Sequence, residues 1–420
     1  MSKITHIVAR EILDSRGLPT IETSLLTDSG IFATASVPSG SQTGEAEAAD
    51  KRDNDPARYG GMGVLQAINS IHATIAPKLV GHEVTDQEGI DHILTELDGT
   101  ANFSHLGGNA LLSVSMAAIK AAASLSRRPL FLYLHERYAG NIPLAIPGPT
   151  FNLINGGKHG AGNLDFQEFH IIPSTRYTFS QALQIAVELY FKLRDELVHR
   201  GAIHSVGDEG GFAPNLFTNS DALELLSMVI KNSPYRLNQD IFLGLDVAAD
   251  TFYDSGKYSV KDSPRALDQA GMINLYQEII KNYNLFSLED ALAGSDWEGW
   301  TKLRASLPAS TLLVGDDLVM TNPKLLEKAI EKQSINAVIV KPNQTGTITN
   351  VIKFINTARV NKLYTILSHR SGETNDTFIA DLAVGLGVSY TKFGAPIRGE
   401  RIAKYNRLLE IEQFLKARHS

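Results

Sequence analysis

The chain has 420 residues, 43% hydrophobic and 20% charged, with a net charge of −7 and no cysteine. That length builds roughly two or three domains around a large core. The lack of cysteine removes disulfides, thiolate metal sites and a thiol nucleophile, and the acidic balance argues against nucleic acid as the main partner. No apolar run approaches the ~20 residues of a membrane span. The N-terminus also lacks the basic-then-apolar plan of a signal peptide, so the expected setting is cytoplasmic.

Residues 1–140 read as an α+β unit. Segments 4–8, 20–27 and 31–37 have strand character, and the Asp28-Ser29-Gly30 turn joins the last two. A small, polar loop follows at 38–45 and is expected to move. From residue 63 to 139 the pattern turns helical, and 110–125 is apolar almost all round, as a buried helix would be. Prolines punctuate 143–149, the expected link to a second unit at 141–420.

The second unit opens with strand-like runs at 151–154 and 166–172. Their glycine-rich connection, 155–165, is too short for a crossover helix, so the pair is expected to be antiparallel. Helical patterns follow at 179–199 and 221–231, with Gly207-Asp208-Glu209-Gly210-Gly211 between them. The rhythm then becomes regular, with buried runs ending at Asp246, Glu289, Asp316, Lys341, His369 and Lys392. Those six units plus the opening pair give eight strands. The simplest solution is a closed barrel whose first two strands break the parallel rule. An open doubly wound sheet would carry a glycine-rich phosphate fingerprint after its first strand, and none is present.

Residues that end barrel strands share one rim, where such folds keep their chemistry. Asp246, Glu289 and Asp316 end consecutive strands. Carboxylates grouped without histidine or cysteine suit a hard divalent cation, best Mg²⁺. Lys341 and Lys392 lie further round. Two ammonium groups facing each other near a cation disfavour their protonated forms, which makes a lysine a competent base at neutral pH. Glu168 and Glu209 arrive on loops as a carboxylate pair able to share a proton. His369-Arg370-Ser371-Gly372 leads into a helix expected to start near Glu373, a combination that favours phosphate. His159 sits on the loop after Asn155. Base, acid, metal and phosphate cradle add up to proton abstraction beside a carboxylate, followed by loss of a leaving group.

The chain resembles the enolase family, the glycolytic phosphopyruvate hydratases, from residue 3 to about 415. The matching motifs are Asp14-Ser15-Arg16-Gly17, Pro38-Ser39-Gly40, Asn155-Gly156-Gly157, Gln167-Glu168-Phe169, the Glu209 loop, Ser368 through Thr374, and Lys392. The resemblance implies a ββαα(βα)6 barrel with an antiparallel second strand, capped by the smaller N-terminal domain and its loop. It implies that Lys341 takes the proton from C2 of 2-phospho-D-glycerate. Glu209 then donates to the departing C3 hydroxide, with Glu168 supporting, to give phosphoenolpyruvate. It further implies that Asp246, Glu289 and Asp316 hold one Mg²⁺ while a second arrives with substrate. His159, Gln167, Lys341, His369, Arg370, Ser371 and Lys392 are the implied substrate contacts. The implied assembly is a homodimer or higher homo-oligomer, with no need of nucleic acid or membrane.

Some residues depart from the pattern. Where the family's loop reads Ser-Gly-Ala-Ser-Thr-Gly and its second serine binds the second metal, this chain has Gln42. Weaker binding of that ion is expected. Thr345 in place of the usual isoleucine, and an end soon after Phe414-Leu415, are expected to matter little. Two other readings share part of this evidence. An acid-sugar dehydratase or racemase of the same superfamily would need the carboxylate trio and a base, but not Arg370-Ser371 together with Glu209. A binding or scaffold protein that has lost catalysis finds its support in Gln42 alone.

Overall fold

The computed structural model describes residues 2–40, 46–160 and 164–419. Strands β1 (Ile4–Leu13), β2 (Pro19–Thr27) and β3 (Phe32–Ser36) form an antiparallel meander in that order. Alternation sets which face is buried: Ile21, Thr23, Leu25 and Thr27 of β2 point inward. That face lies on the helix Gly108–Leu125, where Thr23 Oγ1 meets Ser113 Oγ at 2.7 Å. Among the described residues this helix alone is long and apolar enough to cross a bilayer, yet 83% of it is buried against protein. It is a core helix.

Eight strands close the barrel. They are β4 (Gly148–Asn155), β5 (Glu168–Pro173), β6 (Ile241–Asp246), then, after a small hairpin of β7 (Tyr253–Asp254) and β8 (Lys257–Tyr258), β9 (Ser287–Glu289), β10 (Leu312–Gly315), β11 (Ala337–Val340), β12 (Tyr364–Ser368) and β13 (Tyr390–Lys392). The circuit runs β10-β11-β12-β13-β4-β5-β6-β9 and back to β10. As the short 155–165 connection required, β5 runs antiparallel to both β4 and β6. Leu312, Val314, Ala337, Ile339 and Ile366 make a cluster of their own with Phe286 and Tyr390. The alternate residues Leu313, Val338, Val340 and Leu367 belong to the larger core shared with the helices. Each such side chain taken out of water contributes roughly 1.5–3 kcal/mol. The barrel is therefore plugged with hydrocarbon, and the charged residues of its strands gather at one rim.

Helix starts follow their caps. Thr178 and Thr218 each form a reciprocal capping box, with Gln181 and Asp221, and Thr347 accepts the Asn350 N–H to open Ile348–Val360. The structure changes two expectations. Glu168 opens β5 instead of lying on a loop. The helix expected near Glu373 begins only at Phe378. The reason is backbone competition with the N-terminal unit. Ser39 and Gly372 exchange N–H···O bonds of 2.8 and 3.0 Å, and the Ser15 N–H binds the Glu373 carbonyl at 2.7 Å. Groups already satisfied this way are not available to a helical turn.

Candidate active site

Register places the rim. Glu168 pairs with Asp246 across β5 and β6, and Asp246 pairs with Glu289 across β6 and β9. Asp316, Lys341 and His369 each stand one residue beyond β10, β11 and β12, and Lys392 ends β13. Lys392 is the electrostatic centre. Its Nζ lies 2.7 Å from Asp246 Oδ2, 2.9 Å from Glu289 Oε1 and 3.4 Å from Glu168 Oε2, all at most 4% exposed. Burial pulls its ammonium down, but Asp246, Glu168 and Glu289 outweigh that and hold its pKa well above the ordinary lysine value. Burial and the neighbouring Asp246 carboxylate push Glu289 well up.

Lys341 donates to Asp316 Oδ2, while its own N–H binds Thr321 Oγ1 at 3.0 Å. The lowered lysine pKa expected from the sequence supposes a cation nearby; the carboxylates by themselves act the other way. Burial does pull Lys341 down, but Asp316 and Asp317 raise it above the ordinary value. Both lysines are in direct contact with carboxylates.

Can these carboxylates hold a cation? Asp246 Oδ1 and Asp316 Oδ1 are both buried without a hydrogen-bond partner, which fits oxygen ligands for a divalent ion. Asp290 reinforces the geometry: its two oxygens accept the Asp316 and Asp317 N–H groups at 2.9 Å each. Ligand atoms of Asp290, Asp316 and Asp317 lie within 4.8 Å of one another, so this group shares only Asp316 with the trio read from the strand ends. The other two members of that trio, Asp246 and Glu289, are bound to the Lys392 ammonium. Burial, with Asp316 beside it, pushes Asp317 up to about 7.

Glu209 and Glu168 complete the lining. The Glu209 loop is tied by the Gly207 N–H to the Gly211 carbonyl at 2.8 Å and by Tyr190 OH to the Gly210 carbonyl at 2.8 Å. Gly210 has φ +89°, a left-handed backbone that glycine adopts without strain. Glu209 Oε2 accepts Asn152 Nδ2 at 3.3 Å and lies 3.3 Å from His369 Nε2. Glu168 Oε2 meets His170 Nε2 at 2.8 Å.

Arg370 and Ser371 are tied to residues of the N-terminal domain. Arg370 donates to Asn343 Oδ1 at 3.1 Å and to Glu47 Oε2 at 3.3 Å, and Ser371 Oγ accepts Arg16 at 3.3 Å. Gln167, Glu168, Glu209, Asp246, Asp316, Lys341, His369, Arg370, Ser371 and Lys392 all line one cavity of about 250 Å³. Glu289 stands behind it, joined through Lys392. His159 closes the short helix Gly157–His159, and its side chain is outside the described part of the structure. Gln42 and Ser41 lie outside the described residues.

Sequence reading missed Glu47, Asp250, Asp290 and Asp317 among the groups at or beside this cavity. The doubled acids Glu289-Asp290 and Asp316-Asp317 were a usable signal. For Glu47 there was none, because its partner Arg370 is 323 residues away.

Comparison with known proteins agrees along the chain. Residues 143–419 match the family described as "Enolase, C-terminal TIM barrel domain", and residues 4–134 match "Enolase, N-terminal domain". The enolase of Rubrobacter xylanophilus is 45% identical over 415 residues, spanning 99% of this chain and 96% of that protein. The enolase of Acidothermus cellulolyticus is 46% identical over 415 residues, spanning 99% and 95%.

Proposed function

The chain belongs to the enolase family, and from that premise we propose how its own residues carry the reaction. Its activity is that of a phosphopyruvate hydratase, a glycolytic lyase that uses a divalent metal to interconvert 2-phospho-D-glycerate and phosphoenolpyruvate. The observation that supports the residue roles best is the meeting of Lys341, Glu209, the paired carboxylates and Arg370 in one small cavity.

Lys341, as the free amine, takes the proton from C2 of the substrate. The electron pair left behind spreads into the adjacent carboxylate, where the Lys392 ammonium favours the growing charge. The C2=C3 double bond forms as the C3–O bond breaks. Glu209, in its acid form, supplies the proton with which hydroxide leaves as water, and Glu168 supports it. Arg370 and Ser371 take the phosphate, while Gln167, His159 and His369 orient the substrate. Asp246, Glu289 and Asp316 would hold the ion, for which we propose Mg²⁺; bound there, it would supply positive charge for the dianionic intermediate. The acid-sugar alternative leaves Arg370, Ser371 and Glu209 without a common task. The proposed assembly is a homodimer or higher homo-oligomer.

Absorbance of phosphoenolpyruvate tests this directly. Product should appear with Mg²⁺, and Lys341→Ala should lower kcat by about 10²–10⁴-fold, the range for a lost general base. Solvent deuterium should enter C2 of the substrate in the native enzyme and not in the variant. Undiminished turnover in Lys341→Ala would remove the lysine from the mechanism.

A further inference from the structure

We propose that Arg401 is a positioning residue that fixes the tautomer and orientation of His369 and, through it, the setting of Glu209. The inference rests on the reading above for the roles of His369 and Glu209, but its geometry stands independently.

Arg401 belongs to the first turn of the helix Gly399–His419 and does not line the cavity. It is 0% exposed. One guanidinium nitrogen lies 2.8 Å from His369 Nδ1 and donates to the Arg370 carbonyl at 2.7 Å. The other donates to the carbonyls of Ser371 at 2.8 Å and Asp208 at 3.2 Å. A guanidinium carries donors and no acceptor. His369 Nδ1 must therefore be the accepting nitrogen, which leaves the ring proton on Nε2. That nitrogen faces Glu209 Oε2 at 3.3 Å, a charge contact without hydrogen-bond alignment, while Asn152 Nδ2 donates to the same oxygen.

Two further observations hold the ring in this state. A Cβ on Gly394 would lie 2.8 Å from His369 Cε1, so the Gly394 backbone packs closely on the ring edge and resists a flip. Burial, with the Arg401 charge alongside, also keeps the imidazole below its ordinary pKa, although Glu209 and Glu168 pull the other way. A second proton on Nδ1 would point at the guanidinium N–H. The three carbonyls alone could make Arg401 a mere clamp between the loops at 208 and 370. The contact to Nδ1 is what gives it a role in the protonation pattern. A lysine keeps the charge but offers a point donor in place of the planar fork.

The test is a long-range ¹H–¹⁵N spectrum of the full-length protein labelled with ¹⁵N-histidine, recorded near neutral pH without substrate. His369 is identified by the signal lost in His369→Gln. The expected pattern is a neutral ring protonated at Nε2; an Nδ1-protonated ring or an imidazolium overturns the proposal. The spectrum does not depend on turnover, so its outcome is separable from any failure of the hydratase assignment. Arg401→Lys should mix the tautomers and lower kcat by about 10–100-fold, as loss of an orienting partner typically does. The same change made in the His369→Gln background should cost little more. An equal cost in both backgrounds makes Arg401 a loop clamp only and also overturns the proposal. Should Arg401→Lys fail to fold, the native spectrum still decides.

Discussion

The rim and the seam of this site are built on opposite plans. At the rim, Asp246, Glu289, Glu168 and Lys392 are brought together by strand register alone, each at the end of its own strand. At the seam, groups from distant parts of the chain grip one another across the two domains: Glu47 with Arg370, Ser39 with Gly372, and Asp91 with Thr349. The rim concentrates buried acids around one ammonium. The seam mostly uses backbone groups and caps. A rim therefore fails electrostatically when one charge is removed, whereas a seam should loosen by degrees.

The sharpest way to separate the two is to delete the central charge. Lys392→Met leaves buried carboxylates without their cation, so the urea unfolding midpoint should drop by the equivalent of about 3–5 kcal/mol. Millimolar Mg²⁺ should recover part of it. An unchanged midpoint would mean that the carboxylates had simply taken up protons.

Asp91→Asn probes the seam and should be milder, roughly 1 kcal/mol at neutral pH. Asp91 Oδ2 accepts the Thr349 N–H at 2.9 Å and hydroxyl at 2.6 Å, at the start of the helix that follows the Lys341 loop. Burial raises the Asp91 pKa in spite of these bonds. The folded chain thus binds this proton before the unfolded chain does, so acidification from neutrality toward that raised value favours the fold. The native protein should gain on the Asn variant, which does not titrate here, as pH falls from neutrality through the raised Asp91 value. Parallel stability curves would rule this out. Smallest of all should be Gln42→Ser, expected to reduce the Mg²⁺ concentration needed for half-maximal activity. An unaltered Mg²⁺ requirement removes Gln42 from the second-metal argument.

The same division explains how far the sequence could be read. Strands with apolar runs, such as 337–340, announce themselves, and the short 155–165 connection sufficed to orient β5. So the barrel and its rim residues were legible. The helix near Glu373 was not, because Ser15 and Ser39, more than 300 positions earlier, take the backbone groups it needed. The pairing of Lys341 with Asp316 also escaped, because spacing along the chain does not carry that distance.

The reversed direction of β5 has a practical consequence. Because Glu168 begins that strand, its far end, Pro173, pairs with Ile241 at the floor of the barrel. The connection there, with Thr175 and Arg176 exposed, opens away from the cavity. A fluorophore, affinity handle or surface tether attached at that bend would project from the underside and leave the mouth of the enzyme clear.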